Sequence, residues 1–221
     1  LAALDLKLRQ RMLLELDRIH DEVGITSLYV THDQGEAMSL SDRIAVMNLG
    51  RIEQIGRPME VYEAPSSSFV AAFIGDTNFF KAKVSGSVDS DYSNLLVDGL
   101  PSMQAYNDKK LQQGQQVYLS IRPEKFRISR EKPTENGRLN TLRGKIVDII
   151  YLGSNTKYRV QCGNHLVMIT QQHARFLLDI TPFTWDDEVW VSWNADDGFM
   201  LQRYEEADTR LLNLPSEESV P

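Results

Sequence analysis

A single cysteine, Cys162, stands among 221 residues, so no disulfide can close within the chain. The four histidines are scattered, and with one thiol they cannot build a Cys/His zinc site. A reducing compartment, the cytoplasm, is therefore expected. Long apolar runs are lacking as well: no window approaches the roughly 18 uninterrupted apolar residues of a membrane-spanning helix. The first residues have neither a basic start nor a signal-like apolar stretch, so nothing here is expected to cross a membrane by itself. There is no dense Lys/Arg block, and the net charge is -7, which argues against a phosphate-backbone footprint and against nucleic acid as a partner. Also absent is any G-x-x-x-x-G-K-[ST] run, the loop whose N–H groups and lysine cradle nucleotide phosphates. What remains is a chain with 42% apolar and 25% charged residues, enough to bury one large core or two small ones.

The N-terminal third reads as mixed α and β. Leu8, Met12, Leu16, Ile19 and Val23 recur at spacings of three and four, the stripe of an amphipathic helix from Leu6 to Val23. Gly24 can supply the left-handed cap. Ile25 to Thr31 is rich in β-branched and aromatic residues and predicts a buried strand. Asp33 and Glu36 have capping-box spacing, which starts a short helix running towards Ser41. Arg43 to Asn48 and Arg51 to Ile55 flank Leu49-Gly50, the pattern of a β-hairpin. Pro58 suits a first helical position, Pro65 should stop that helix, and Phe69, Val70, Phe73 and Ile74 suggest another one reaching Gly75.

Beyond Asp76 the pattern changes to short alternating stretches, including Val117 to Ile121, Lys145 to Tyr151, Tyr158 to Gln161, Leu166 to Ile169, Glu188 to Trp193 and Phe199 to Gln202. This half predicts as all β. Arg130 to Asn140 reads as a solvated loop. The expected organisation is 1–76, α/β; 77–204, all-β; and 205–221, an acidic, frayed tail.

His32 follows a predicted strand and precedes a helix, which places it at the carboxyl end of that strand, where open α/β sheets hold ligands. Read alone, it is an ordinary strand-end histidine, and Asp5 is a plain N-cap for the first helix. The ordered set around them changes this. Leu1-Ala2-Ala3-Leu4-Asp5, then Leu28 to Ala37 (LYVTHDQGEA), then Ser41 to Met47 and Gly50 to Gly56 with Pro58, resembles the D-loop, switch-histidine region and following hairpin of ABC ATPase subunits. The resemblance implies that His32 reaches the γ-phosphate and helps position the attacking water, and that Asp5 acts across an ATPase dimer. It also implies that the glutamate assigned the base role would fall immediately before Leu1. The glutamine loop and Ser-Gly-Gly signature are missing along with the phosphate loop, so the chain alone is expected neither to hydrolyse ATP nor to bind it tightly. Two departures stand out: Ala2 occupies a position where many relatives have Ser, and Gly35 one where they often have a helix former. His20, His165 and His173 have no metal-ligand spacing and receive no role.

Val117 to Glu124, with its Arg122-Pro123-Glu124, together with Gly144 to Val147, Tyr151 to Ser154 and Trp185 to Val189, resembles the TOBE domain, an OB-like β-barrel attached to importer ATPases. The fold class expected is thus the C-terminal piece of a P-loop ABC ATPase domain followed by a TOBE β-barrel. Arg122 is a candidate binding residue there; equally, its guanidinium could fix local carbonyls. Trp185, Trp190 and Trp193 suit core packing or a dimer contact better than base stacking, given the acidic Asp186-Asp187-Glu188 among them.

The resemblance is nearest to the polyamine (spermidine/putrescine) importers; sugar, ferric iron and phosphonate importers share the architecture. It implies an energy-coupling ATPase that uses ATP and Mg2+ in the intact subunit, with none expected bound to this chain. The partners it implies are a second copy, the membrane permease subunits and, indirectly, a substrate-binding protein. Its place would be the cytoplasmic face of the membrane. A regulatory or dimerisation module binding a small ligand or a partner protein through the TOBE domain is the alternative.

Overall fold

The computed structural model describes residues 6–134, 137–174, 181–201 and 203–211. The chain divides into two compact units, Leu1–Ala64 and Pro65–Pro221.

In the first unit, α1 (Leu6–Val23) forms as its periodicity predicts. Gly24, at φ 64°, closes it by donating to the His20 carbonyl at 2.9 Å. The apolar stripe is not covered, however: Leu16 and Ile19 are 41% and 49% exposed. The buried strand expected at Ile25 to Thr31 does not form either. Those residues lie in no ladder, and Leu28 and Val30 are 93% and 86% exposed. A strand needs partners for its N–H and C=O groups, and none among the described residues pairs with this one. Next come α2 (Gln34–Leu40) and a hairpin of β1 (Ile44–Asn48) and β2 (Arg51–Gly56). Its turn residues Leu49 and Gly50 both have positive φ, 47° and 76°, which matches the twist of tight hairpins. In α3 (Pro58–Glu63) Pro58 takes the first helical turn, and the Glu60 carboxylate accepts the Arg57 N–H at 2.9 Å.

The second unit opens with α4 (Ser68–Ile74), N-capped by the Ser67 hydroxyl. Twelve strands are described in the whole chain, and ten of them build this unit as two antiparallel five-stranded sheets. One sheet comprises β3 (Asn78–Ser87), β4 (Tyr92–Val97), β5 (Met103–Tyr106), β6 (Gln116–Ile121) and β12 (Gly198–Met200). Its strand order is β12-β6-β3-β4-β5. The other comprises β7 (Arg127–Ser129), β8 (Leu139–Tyr151), β9 (Asn155–Cys162), β10 (His165–Gln172) and β11 (Glu188–Asn194), in the order β10-β9-β8-β11-β7. Instead of one ladder running round a barrel, two open sheets enclose a single core. Phe80 of the first sheet stacks on Trp193 of the second, with centroids 6.3 Å apart and planes 6° apart.

Side-chain amides join the sheets. Asn78 exchanges two hydrogen bonds with the backbone of Met168, at 2.7 and 2.9 Å, and Asn140 does the same with Gln104. Each copies a ladder pair where the backbones diverge, which satisfies groups that would be costly to bury alone. Gly144 belongs where β8 crosses β9 closely: a Cβ there would lie 2.6 Å from Cys162 Sγ.

Two boundaries differ from those expected. The units divide at Ala64/Pro65, not at residue 76, because α4 is tied to the strands that follow it. The tail expected to fray from 205 instead continues as a 3-10 helix, Glu206–Leu211. Ser68 Oγ accepts the Glu205 N–H at 2.8 Å and donates to Asp208 at 2.6 Å. Tyr204 stacks on Tyr118 at 3.7 Å. The rest of that tail, 212–221, lies outside the described residues. Part of the expected loop Arg130 to Asn140 is ordered by Arg130, which donates to the carbonyls of Thr181 and Pro182 and lies over the Phe183 ring.

Candidate functional site: the His32 loop

His32 is exposed, and its ring takes no hydrogen bond from the described residues. The backbone on both sides of it is held. Thr31 Oγ1 accepts the Asp33 N–H at 3.0 Å and donates to Glu36 Oε2 at 2.7 Å. The Tyr29 hydroxyl donates to the same carboxylate oxygen at 2.9 Å. Asp33 Oδ1 in turn accepts the Glu36 N–H at 2.9 Å, capping α2. The capping half of the Asp33/Glu36 pattern was legible in the spacing. The role of the Glu36 carboxyl group was not: it is 4% exposed, and its Oε2 collects two hydroxyl donors, as a buried polar group requires. Only the placement of Tyr29 and Thr31 above α2 reveals that.

An imidazole so placed can donate to or accept from a ligand approaching from outside. The sequence has no G-x-x-x-x-G-K-[ST] run to cradle phosphates. Among the described residues no cluster of three or more His, Cys, Asp or Glu side chains could hold a metal ion. Asp5 lies outside the described residues.

Arg122, the other candidate, is 4% exposed. Its Nη1 donates to the carbonyls of Ala71, Gly75 and Asp76 at 2.7, 3.0 and 3.1 Å. These are carbonyls at the C-terminal end of α4, where intrahelical partners run out and the helix dipole favours a cation. The guanidinium thus does what the structural alternative required of it. Of the three tryptophans, Trp193 is core at 1% exposure and Trp185 is 61% exposed, while Trp190 lies beneath the Lys132 ammonium at 5.6 Å.

Residues 119–201 match the TOBE domain family. The chain is 55% identical over 203 residues to the spermidine/putrescine import ATP-binding protein PotA of Protochlamydia amoebophila, covering 92% of this chain and 54% of that protein. To the protein of the same name from Thermotoga maritima it is 46% identical over 207 residues, 93% of this chain and 56% of the relative. The chain therefore spans about half the length of the curated relatives it matches. A solved structure of the cytoplasmic molybdate-binding protein ModG overlaps with a TM-score of 0.47 at 15% identity, over 56% of this chain and 94% of that one. Taken together, the chain contains a match to the TOBE domain family at residues 119–201 and is similar, over nine-tenths of its own length, to about half of proteins named spermidine/putrescine import ATP-binding protein.

Proposed function

We propose that the intact subunit containing this sequence hydrolyses ATP with Mg2+ to drive an ABC importer for polyamines, and that His32 is its γ-phosphate-facing histidine. The observation that carries the reading is the 55% identity, maintained over 92% of this chain, to a spermidine/putrescine import ATP-binding protein. The exposed ring of His32, on a backbone pinned at both neighbours, supports its part in it. Asp5 would act across a dimer of such subunits, on the strength of the resemblance alone. Charge neutralisation and in-line positioning need a phosphate loop, and the sequence has no G-x-x-x-x-G-K-[ST] run.

The partners in this reading are permease subunits in the membrane, a substrate-binding protein reached through them, and a second copy. Its place is the cytoplasmic face of the membrane. Self-association through the β unit is supported by the apolar side chains of Val147, Ile150 and Tyr151 in β8, all at least 44% exposed, since exposed apolar surface favours contact. Arg122 is assigned to the fold and not to a regulatory ligand.

The test is turnover of the intact subunit with His32→Ala: ATPase activity should fall at least about a hundredfold, the scale on which loss of a transition-state contact is read. Turnover at the wild-type rate would overturn the role of His32. Light scattering of the same preparation should give a dimer mass, and a monomer at micromolar concentration would overturn the self-association.

A further inference from the structure

The loop around His32 contains a device that neither the resemblance nor the fold requires. Thr31 and Asp33 are the residues on either side of the histidine, and each is engaged through one small network. The Thr31 hydroxyl stands at its centre, accepting from the Asp33 N–H and donating to Glu36 Oε2. The carboxylate at the far end is buried on α2 and draws a second hydroxyl from Tyr29. Asp33 closes the ring by capping the Glu36 N–H. Every bond in this ring fixes the backbone or a neighbour of His32, and none touches the imidazole.

We propose that Glu36, acting through the Thr31 hydroxyl, is a positioning residue for His32: the two form a clasp that holds the backbone of residues 31–33 so that the exposed imidazole is presented in one orientation. The proposal rests on the reading that His32 works at the nucleotide. A buried carboxyl group suits the task because a buried polar group that loses its hydrogen bonds is costly, so the bonds it draws from Thr31 and Tyr29 are held. Orientation matters steeply in such a site, since small misplacement of a reacting group costs large factors in rate.

The clasp predicts a split between two nearly isosteric changes. Thr31→Val keeps the branched shape and removes the hydroxyl, whereas Thr31→Ser keeps the hydroxyl and removes the methyl. In the intact subunit, Thr31→Val should lower kcat about tenfold or more, with KM for ATP changed less than about twofold. Thr31→Ser should stay near the wild-type rate. The double variant Thr31→Val, Glu36→Gln should be little worse than Thr31→Val alone, because both changes break one path.

A second measurement does not depend on turnover. In this 221-residue chain, exchange of the Asp33 amide hydrogen, followed by NMR, should quicken about tenfold in Thr31→Val and not in Thr31→Ser. An Asp33 amide equally protected in Thr31→Val would overturn the clasp. So would a Thr31→Val enzyme with the wild-type kcat when His32→Ala is inactive. If His32→Ala itself turns over normally, the catalytic reading of the histidine falls and the positioning proposal falls with it; the amide data then report separately whether the ring of hydrogen bonds exists.

Discussion

Cys162 and His32 show how differently two reactive side chains can be used. The thiol is fully buried in the core of the β unit, and loss of hydration pushes its pKa up to about 12. The sign of the linkage follows. With the folded value raised, the thiol stays protonated in the fold at pH values where the unfolded chain has begun to ionise, from about 9 upward. Its contribution to stability is complete below that range and is lost progressively as the pH rises through the folded value. A thiol-specific reagent at pH 8 should leave Cys162 untouched in the native protein and label it fully in urea. Cys162→Ala should flatten the loss of stability above pH 9, and rapid native-state labelling would contradict the burial. The single cysteine was visible in the sequence; the strand end expected before His32 was not met, because residues 25–31 pair with no ladder among the described residues. The burial of Glu36 was not visible, because a glutamate at that spacing reads as a helix cap whether or not hydroxyls fold over it.

At the scale of elements, α4 shows why local signals find a helix and misjudge its allegiance. Ser67, the apolar run Phe69 to Ile74 and Gly75 mark the helix in the sequence. Its attachment depends on Arg122, 46 to 51 residues away along the chain, and on Ser68 and Asp208, separated by 140. Removing the guanidinium in Arg122→Met should leave helix-end carbonyls buried without a donor. The expected cost is about 1–3 kcal/mol in urea unfolding, with the β-sheet circular dichroism retained. A variant as stable as the wild type would mean that water or another donor replaces the arginine. The segment Ile25 to Thr31 errs in the opposite direction. Its β-branched residues announce a strand, but strand propensity expresses itself only through pairing and packing, and no ladder partner is present among the described residues. The hairpin of β1 and β2 succeeded where this segment failed because its partner is supplied by the adjacent turn.

At the scale of the whole molecule the two compact units differ in how their apolar surface is handled. The second buries a continuous core that includes Phe80, Leu119, Ile146 and Trp193, all at most 2% exposed. The first leaves the α1 stripe and residues 25–30 exposed. Burial on the scale of the second unit supports independent folding at its length. Residues 65–221 alone should therefore unfold in one cooperative urea transition, with a midpoint close to that of the main transition of the full chain. Backbone amides of residues 25–28 should exchange near the rate of an unfolded peptide. A non-cooperative 65–221 fragment, or strong protection at 25–28, would contradict this division.

The sequence by itself determined the helices, the hairpin and most of the β half, because periodicity, caps and turn residues act over a few positions and are written in order along the chain. It also determined the family resemblance, since ordered motifs survive without any knowledge of contacts. Tertiary structure alone decided that the strands form two sheets around one core, that Arg122 pins a helix, that the chain after 205 returns to α4, and that Glu36 braces the loop of His32. Each of these depends on groups distant in sequence, or turned towards one another by the fold, meeting within about 3 Å, and no local pattern encodes such a meeting.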